Sequence, residues 1–133
     1  MKILFVGDVF SKLGRETLAR NIKKIKEEQK INFVIVNGEN ITHGKGMNEG
    51  HYKWLLEQGA NVITLGNHSF QQRSIFNFID DVNNVKFMYN TPEEQLNLYQ
   101  TIIYSHFPQL NLSKELNVQV KYVHESMQDN FSP

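Results

Sequence analysis

Three short apolar runs, each ended by glycine or an amide and followed by acidic, amide or imidazole side chains, constrain this chain more than any other feature. Ile3-Leu4-Phe5-Val6 runs into Gly7-Asp8, and Phe33-Val34-Ile35-Val36 into Asn37-Gly38-Glu39-Asn40. Val62-Ile63-Thr64-Leu65 runs into Gly66-Asn67-His68. Short runs rich in β-branched and aromatic residues, without polar alternation, read as strands buried on both faces of a parallel sheet. In open α/β sheets, sites form beyond the carboxyl ends of the strands. Asp8, Glu39, Asn40, Asn67 and His68 are therefore expected along one edge of one sheet.

The segments between the runs read as helices. From about Arg15 to Gln29, Leu18, Ile22 and Ile25 recur at spacings of four and three, with Lys23, Lys24, Lys26, Glu27 and Glu28 on the wet face. Strand, helix and strand within 36 residues make a βαβ unit, which is right-handed in nearly all cases. A glycine-bearing loop, Asn37 to Glu49, comes next. A second helix starts at Asn48 or Glu49, carries Tyr52, Leu55 and Leu56 with Trp54 toward the core, and ends at Gly59. After the loop 67–73 the spacing predicts a short helix containing Ile75, Phe76, Phe78 and Ile79. The fold class is α/β, a layered β-α-β-α-β domain. Beyond it, Val85 to Tyr89 and Leu98 to Tyr104 read as strands, Val118 to Tyr122 as an edge strand, and Glu125 to Pro133 as a frayed tail.

Length and charge narrow the function. At 133 residues the chain reads as a single domain, able to bury roughly two-thirds of its unfolded surface. Fourteen basic residues balance fourteen acidic ones, so the basic footprint of a nucleic-acid-duplex binder is absent. No cysteine means no disulfide scaffold, no cysteine zinc site and no thiol nucleophile. No segment approaches the ~20 apolar residues of a membrane helix, and the N-terminal apolar run is too short for a signal peptide. A cytoplasmic location without membrane contact is the expectation.

The strand-end residues have a chemistry in common. Asp8, Glu39 and Asn67 are oxygen donors and His68 adds an imidazole, a set suited to Mn, Fe or Zn. A carboxylate can bridge two cations, and ions about 3.5–4 Å apart clamp a phosphoryl group and activate water. If His68 stays off the metal, it can protonate a leaving alkoxide or orient the phosphate. Arg15, just past Gly14 near a predicted helix N-terminus, is a candidate for holding the substrate phosphate. The other histidines lack this setting. His43 and His51 are expected in solvent, and His106 and His124 as structural.

Gly7-Asp8-Val9, Gly14-Arg15, Gly38-Glu39-Asn40, Gly44-x-Gly46 and Gly66-Asn67-His68, in this order and spacing, resemble the calcineurin-like metallophosphoesterases. Within them they are most similar to the bacterial YmdB-like branch. The likeness covers about residues 1–80, and about 81–133 diverge; Ser69-Phe70 stand where that branch usually has Thr-Trp. The resemblance implies half of a metallophosphoesterase α/β sandwich and a phosphodiesterase acting on small cyclic nucleotides. It implies Asp8, Glu39, Asn40 and Asn67 as ligands of two divalent metals, Fe or Mn, with Glu39 bridging. It also implies His68 as the catalytic acid.

The family's further ligands, a lone His and a Gly-x-His-x-His pair, have no counterpart here, and neither His106 nor His124 takes their place. The expectation is therefore an N-terminal half with one side of the site, binding metal weakly and tending to form homo-oligomers. Two other readings share these residues. One is a nucleotide- or phosphate-binding module without hydrolysis, and the other a domain completed by a partner.

Overall fold

The computed structural model describes residues 1–87 and 100–108. Val118 to Tyr122 and the tail from Glu125 lie outside the described residues, as does His124. Among the described residues four parallel strands form one sheet in the order β1-β2-β3-β4: Ile3–Val6, Phe33–Asn37, Val62–Leu65 and Val85–Phe87. Leu4 pairs with Val34, Val36 with Ile63 and Leu65 with Phe87. Each connection steps to the next strand in the same direction, which places successive right-handed crossovers on one face. α1 (Ser11–Gln29) and α2 (Glu49–Glu57) occupy that face, followed by two 3-10 turns, Arg73–Asn77 and Ile79–Asp81.

The core on the helix face joins Leu4, Val34, Ile63 and Leu65 of the sheet to Leu18 and Ile22 of α1 and Leu55 of α2. The predicted apolar stripe of α1 is the buried one, with Ile25 packed at its margin. Trp54 is half-buried against the same core. Asn48 caps α2, its side chain accepting the His51 backbone N–H at 2.8 Å. Gly59, just past the helix, takes φ +102°, a left-handed turn that ends it.

The opposite face has a smaller cluster, Phe33, Ile35, Val62 and Ile102, with Ile3, Phe5 and Phe107 at its margin. Three expectations are corrected here. Residues 100–106 are helical, so the strand expected over Leu98 to Tyr104 is not formed at its described residues. An Ile-Ile doublet in a short apolar run suits either state. As a helix it satisfies its own backbone while Ile102 covers the sheet. The helix expected around Ile75 and Phe78 is two 3-10 turns, which suits a short stretch that buries only two apolar side chains. α1 begins at Ser11, four residues earlier than its stripe suggests.

Candidate functional site at the strand ends

The exits of β1, β2 and β3 lie side by side because the strands are parallel and adjacent. Backbone hydrogen bonds tie the exits together. Val9 N–H donates to Asn37 O (3.1 Å), Ser11 N–H to Asn40 O (3.0 Å) and Gly38 N–H to Thr64 O (2.9 Å). Asp8 sits in the first of these turns with φ +34°, in the left-handed region that a short polar side chain tolerates better than most. Its side chain is exposed.

Asn40 is the hub. It is buried, and its Nδ2 donates to Asp8 Oδ1 at 2.7 Å while its Oδ1 lies 2.6 Å from His68 Nδ1. An ionised carboxylate only accepts, so Asp8 orients the Asn40 amide nitrogen toward itself. The amide oxygen then faces His68, and Nδ1 must carry the proton that it accepts. Nε2 is left as the ring atom that takes up or gives a proton. The three residues from three different strand exits thus form one hydrogen-bonded chain.

Glu39 lies beside this chain with a different problem. Its Oε2 is buried and has no hydrogen-bond partner among the described residues, a costly state for a carboxylate oxygen unless a cation or donor arrives. The carboxylate lies directly over Gly66; a Cβ there would come 2.9 Å from Glu39 Cδ. Only glycine lets the carboxylate approach the β3 exit so closely. Asn67, next in sequence, is exposed.

These observations test whether the side chains suit a divalent cation. An orphaned carboxylate oxygen, a second carboxylate at Asp8 and the amides of Asn40 and Asn67 make an oxygen-rich donor set of the right hardness. Among the described residues no three His, Asp or Glu side chains converge tightly enough to hold an ion by themselves.

The glycine loop is locked to the same edge. Gly46 N–H donates to Glu39 O at 2.5 Å, and Gly46 has φ +73°. A Cβ at Gly46 would come 2.9 Å from Gln72 N, so the loop packs on the turn that follows His68. Arg15 lies in the second turn of α1, away from the helix N-terminus where the sequence suggested it. Its Nη1 donates to Ile41 O at 2.7 Å, holding the start of the loop.

His51 is not in solvent as expected. It is half-buried, and its Nδ1 lies 2.6 Å from Thr42 Oγ1, which also accepts from Asn48 N–H (3.0 Å). Burial, then the Arg15 guanidinium and His43, hold its pKa below the usual histidine value. The sequence signal covered only the helix cap, not the Thr42 contact. Asn48 and His51 stand at the N-cap and third helical positions, where side chain and backbone pair. His43 is exposed, as expected.

The sequence profile of the YmdB-like protein family matches residues 4–123. The chain belongs to that family. It is 46% identical over 93 residues to a 2',3'-cyclic-nucleotide 2'-phosphodiesterase of Bacillus subtilis (strain 168), a match covering 70% of this chain and 35% of that protein. It is 45% identical over 73 residues to a putative phosphatase/phosphodiesterase of Mycoplasma pneumoniae, covering 55% and 26%. Two crystal structures share the architecture. A hypothetical protein from Thermus thermophilus superposes with a TM-score of 0.61 at 30% identity, over 69% of this chain and 35% of the other. A novel phosphatase from Mycoplasma pneumoniae does so with a TM-score of 0.64 at 36% identity, over 71% and 34%. The matched part is thus about a third of each of these proteins' length, except the 26% of the Mycoplasma relative.

Proposed function

We propose that this chain carries one side of the active site of a metal-dependent phosphodiesterase acting on small cyclic nucleotides. The observation that carries the reading is the Asp8–Asn40–His68 chain lying beside the orphaned Glu39 oxygen. Asp8, Glu39, Asn40 and Asn67 would hold divalent metal, Fe or Mn. When bound, such ions supply Lewis-acid polarisation of the phosphoryl group and an activated water.

The chain's own residues would do the rest. Asn40 holds the imidazole of His68 with Nδ1–H engaged, so Nε2 is the atom that would take up a proton and, as imidazolium, deliver it to the leaving alkoxide. Gly66 keeps the space above β3 open for the Glu39 carboxylate. Arg15, anchored by one nitrogen on Ile41 O, offers its remaining N–H groups to the phosphate.

The experiment is calorimetric Mn titration together with hydrolysis of a 2',3'-cyclic nucleotide, across a range of protein concentrations. Intact chain, Glu39→Gln and His68→Ala are compared. Turnover should be lost in both variants, while metal uptake should fall in Glu39→Gln and persist in His68→Ala. Turnover that rises more steeply than protein concentration would mean two copies complete the site. No metal uptake by the intact chain overturns the proposal, and nucleotide binding without hydrolysis would leave a non-catalytic binding module.

A further inference from the structure

His51 belongs to α2, yet the group it holds belongs to the loop that packs on the His68 turn. Thr42 Oγ1 lies 2.6 Å from His51 Nδ1 and also accepts the Asn48 N–H at 3.0 Å, on a residue only 1% exposed. Backbone bonds carry the contact onward. Thr42 N–H donates to Gly46 O at 3.1 Å, and Lys45 N–H to Thr42 O at 2.9 Å. Gly46 is pressed against the turn: a Cβ there would come 3.3 Å from His68 O and 2.9 Å from Gln72 N. That turn is closed by Ser69 N–H to Gly66 O and Gln71 N–H to His68 O, both 3.1 Å. Met47, next to Gly46, is fully buried in the helix-face core and anchors the loop there.

The hydroxyl of Thr42 accepts from Asn48, so its own hydrogen needs an acceptor in a place closed to water. A neutral imidazole supplies one at Nδ1, with the ring hydrogen on Nε2. A protonated ring donates from both nitrogens. Nδ1 could then no longer accept, and the buried Thr42 hydrogen would be left without a partner. The charges that reach the ring are the Arg15 guanidinium from α1 and His43 from the loop, and both favour the neutral form. On α2 itself, Glu49 is paired with Lys53 at 3.0 Å.

We propose that Thr42 and His51 are positioning residues for His68, acting through Gly46, and that the support they give requires a neutral His51 ring. The catalytic role of His68 rests on the phosphoesterase reading above; the support of its turn does not.

The test is hydrogen exchange of the full chain by nitrogen-15 NMR, expressed as protection factors so that the intrinsic pH dependence is removed. From pH 7 to pH 5 the Ser69 and Gln71 amides should lose about tenfold in protection, the scale of one hydrogen bond. Ile63 in the sheet, whose N–H donates to Asn84 O, should change far less. His51→Gln, whose amide oxygen accepts at any pH, should keep most of the turn's protection at pH 5. Thr42→Val should show the loss already at pH 7, and Thr42→Ser should restore it. An equal loss between pH 7 and pH 5 in His51→Gln overturns the proposal. So does a Thr42→Val protein that retains full protection at Ser69 and Gln71. If Thr42→Val also loses protection at Ile63, it is globally unstable and the His51→Gln comparison decides alone.

Manganese-dependent hydrolysis of a 2',3'-cyclic nucleotide at pH 7 supplies the second readout. Thr42→Val should lose at least about tenfold in kcat with KM little changed, as expected when a reacting group is misplaced from a distance, and Thr42→Ser should recover it. Lost protection with unchanged kcat would make the pair merely structural and overturn the positioning role. No turnover by the intact chain would remove the phosphoesterase reading, and the protection factors would still decide whether these residues hold the His68 turn.

Discussion

The two faces of the sheet are covered from different distances along the chain. On one face the crossovers between neighbouring strands deliver α1 and α2, so every large side chain has partners close in sequence. On the other, Phe33, Ile35 and Val62 depend on Ile102, about forty residues beyond β3. The rings of Phe107 and His106 lie 5.3 and 4.9 Å from Phe33. Ile3 and Phe5 on that face stay half-buried, whereas Leu4 and Val6 on the helix face are buried. Local connection gives dense packing. A remote segment pays more chain entropy to reach its place.

Truncations measure that difference. Leu55→Ala, in the fully buried centre of the helix face, should cost about 3–5 kcal/mol in urea unfolding. Ile102→Ala should cost about 2 kcal/mol, the low end for a large-to-small change, because the surroundings there can collapse. Equal costs would mean both faces are equally packed and would end the comparison.

At the strand ends the contrast is between a satisfied chain and an orphan. Asn40→Ala should destabilise the apo protein by roughly 1–2 kcal/mol, the scale of lost hydrogen bonds, and should let His68 sample both neutral tautomers in nitrogen-15 NMR. A His68 ring still protonated only at Nδ1 in that variant would remove Asn40 from its orienting role. Glu39→Gln should leave apo stability unchanged or raise it slightly, since its buried oxygen has no partner to lose, and should abolish the rise in melting temperature on adding Mn.

The smallest effect belongs to His51. Its folded pKa is lowered, so as pH falls through about 6.5 the unfolded chain takes up the proton first. Stability present above that pH is therefore lost below it, until folded His51 is protonated too. The urea midpoint should fall modestly from pH 7 to pH 5, and His51→Gln should flatten part of that slope. An unchanged slope in the variant would assign the effect to other groups.

What the sequence determined by itself was the sheet and what stands at its edge. Uninterrupted β-branched runs bounded by glycine or an amide read as buried parallel strands, and parallel neighbours end side by side. Asp8, Glu39, Asn40, Asn67 and His68 were thereby placed along one edge of one sheet. Tertiary structure decided the partners. Ile41 O claimed the Arg15 guanidinium, Thr42 claimed His51, and the bare backbone of Gly66 received Glu39. It also turned the Ile102-Ile103 run into a helix, because a sheet face needed cover and a short apolar run carries no period of its own. Strand identity follows from side-chain type a few residues at a time. A hydrogen-bond partner or a covering segment depends on distances between residues far apart in sequence, which no local pattern encodes.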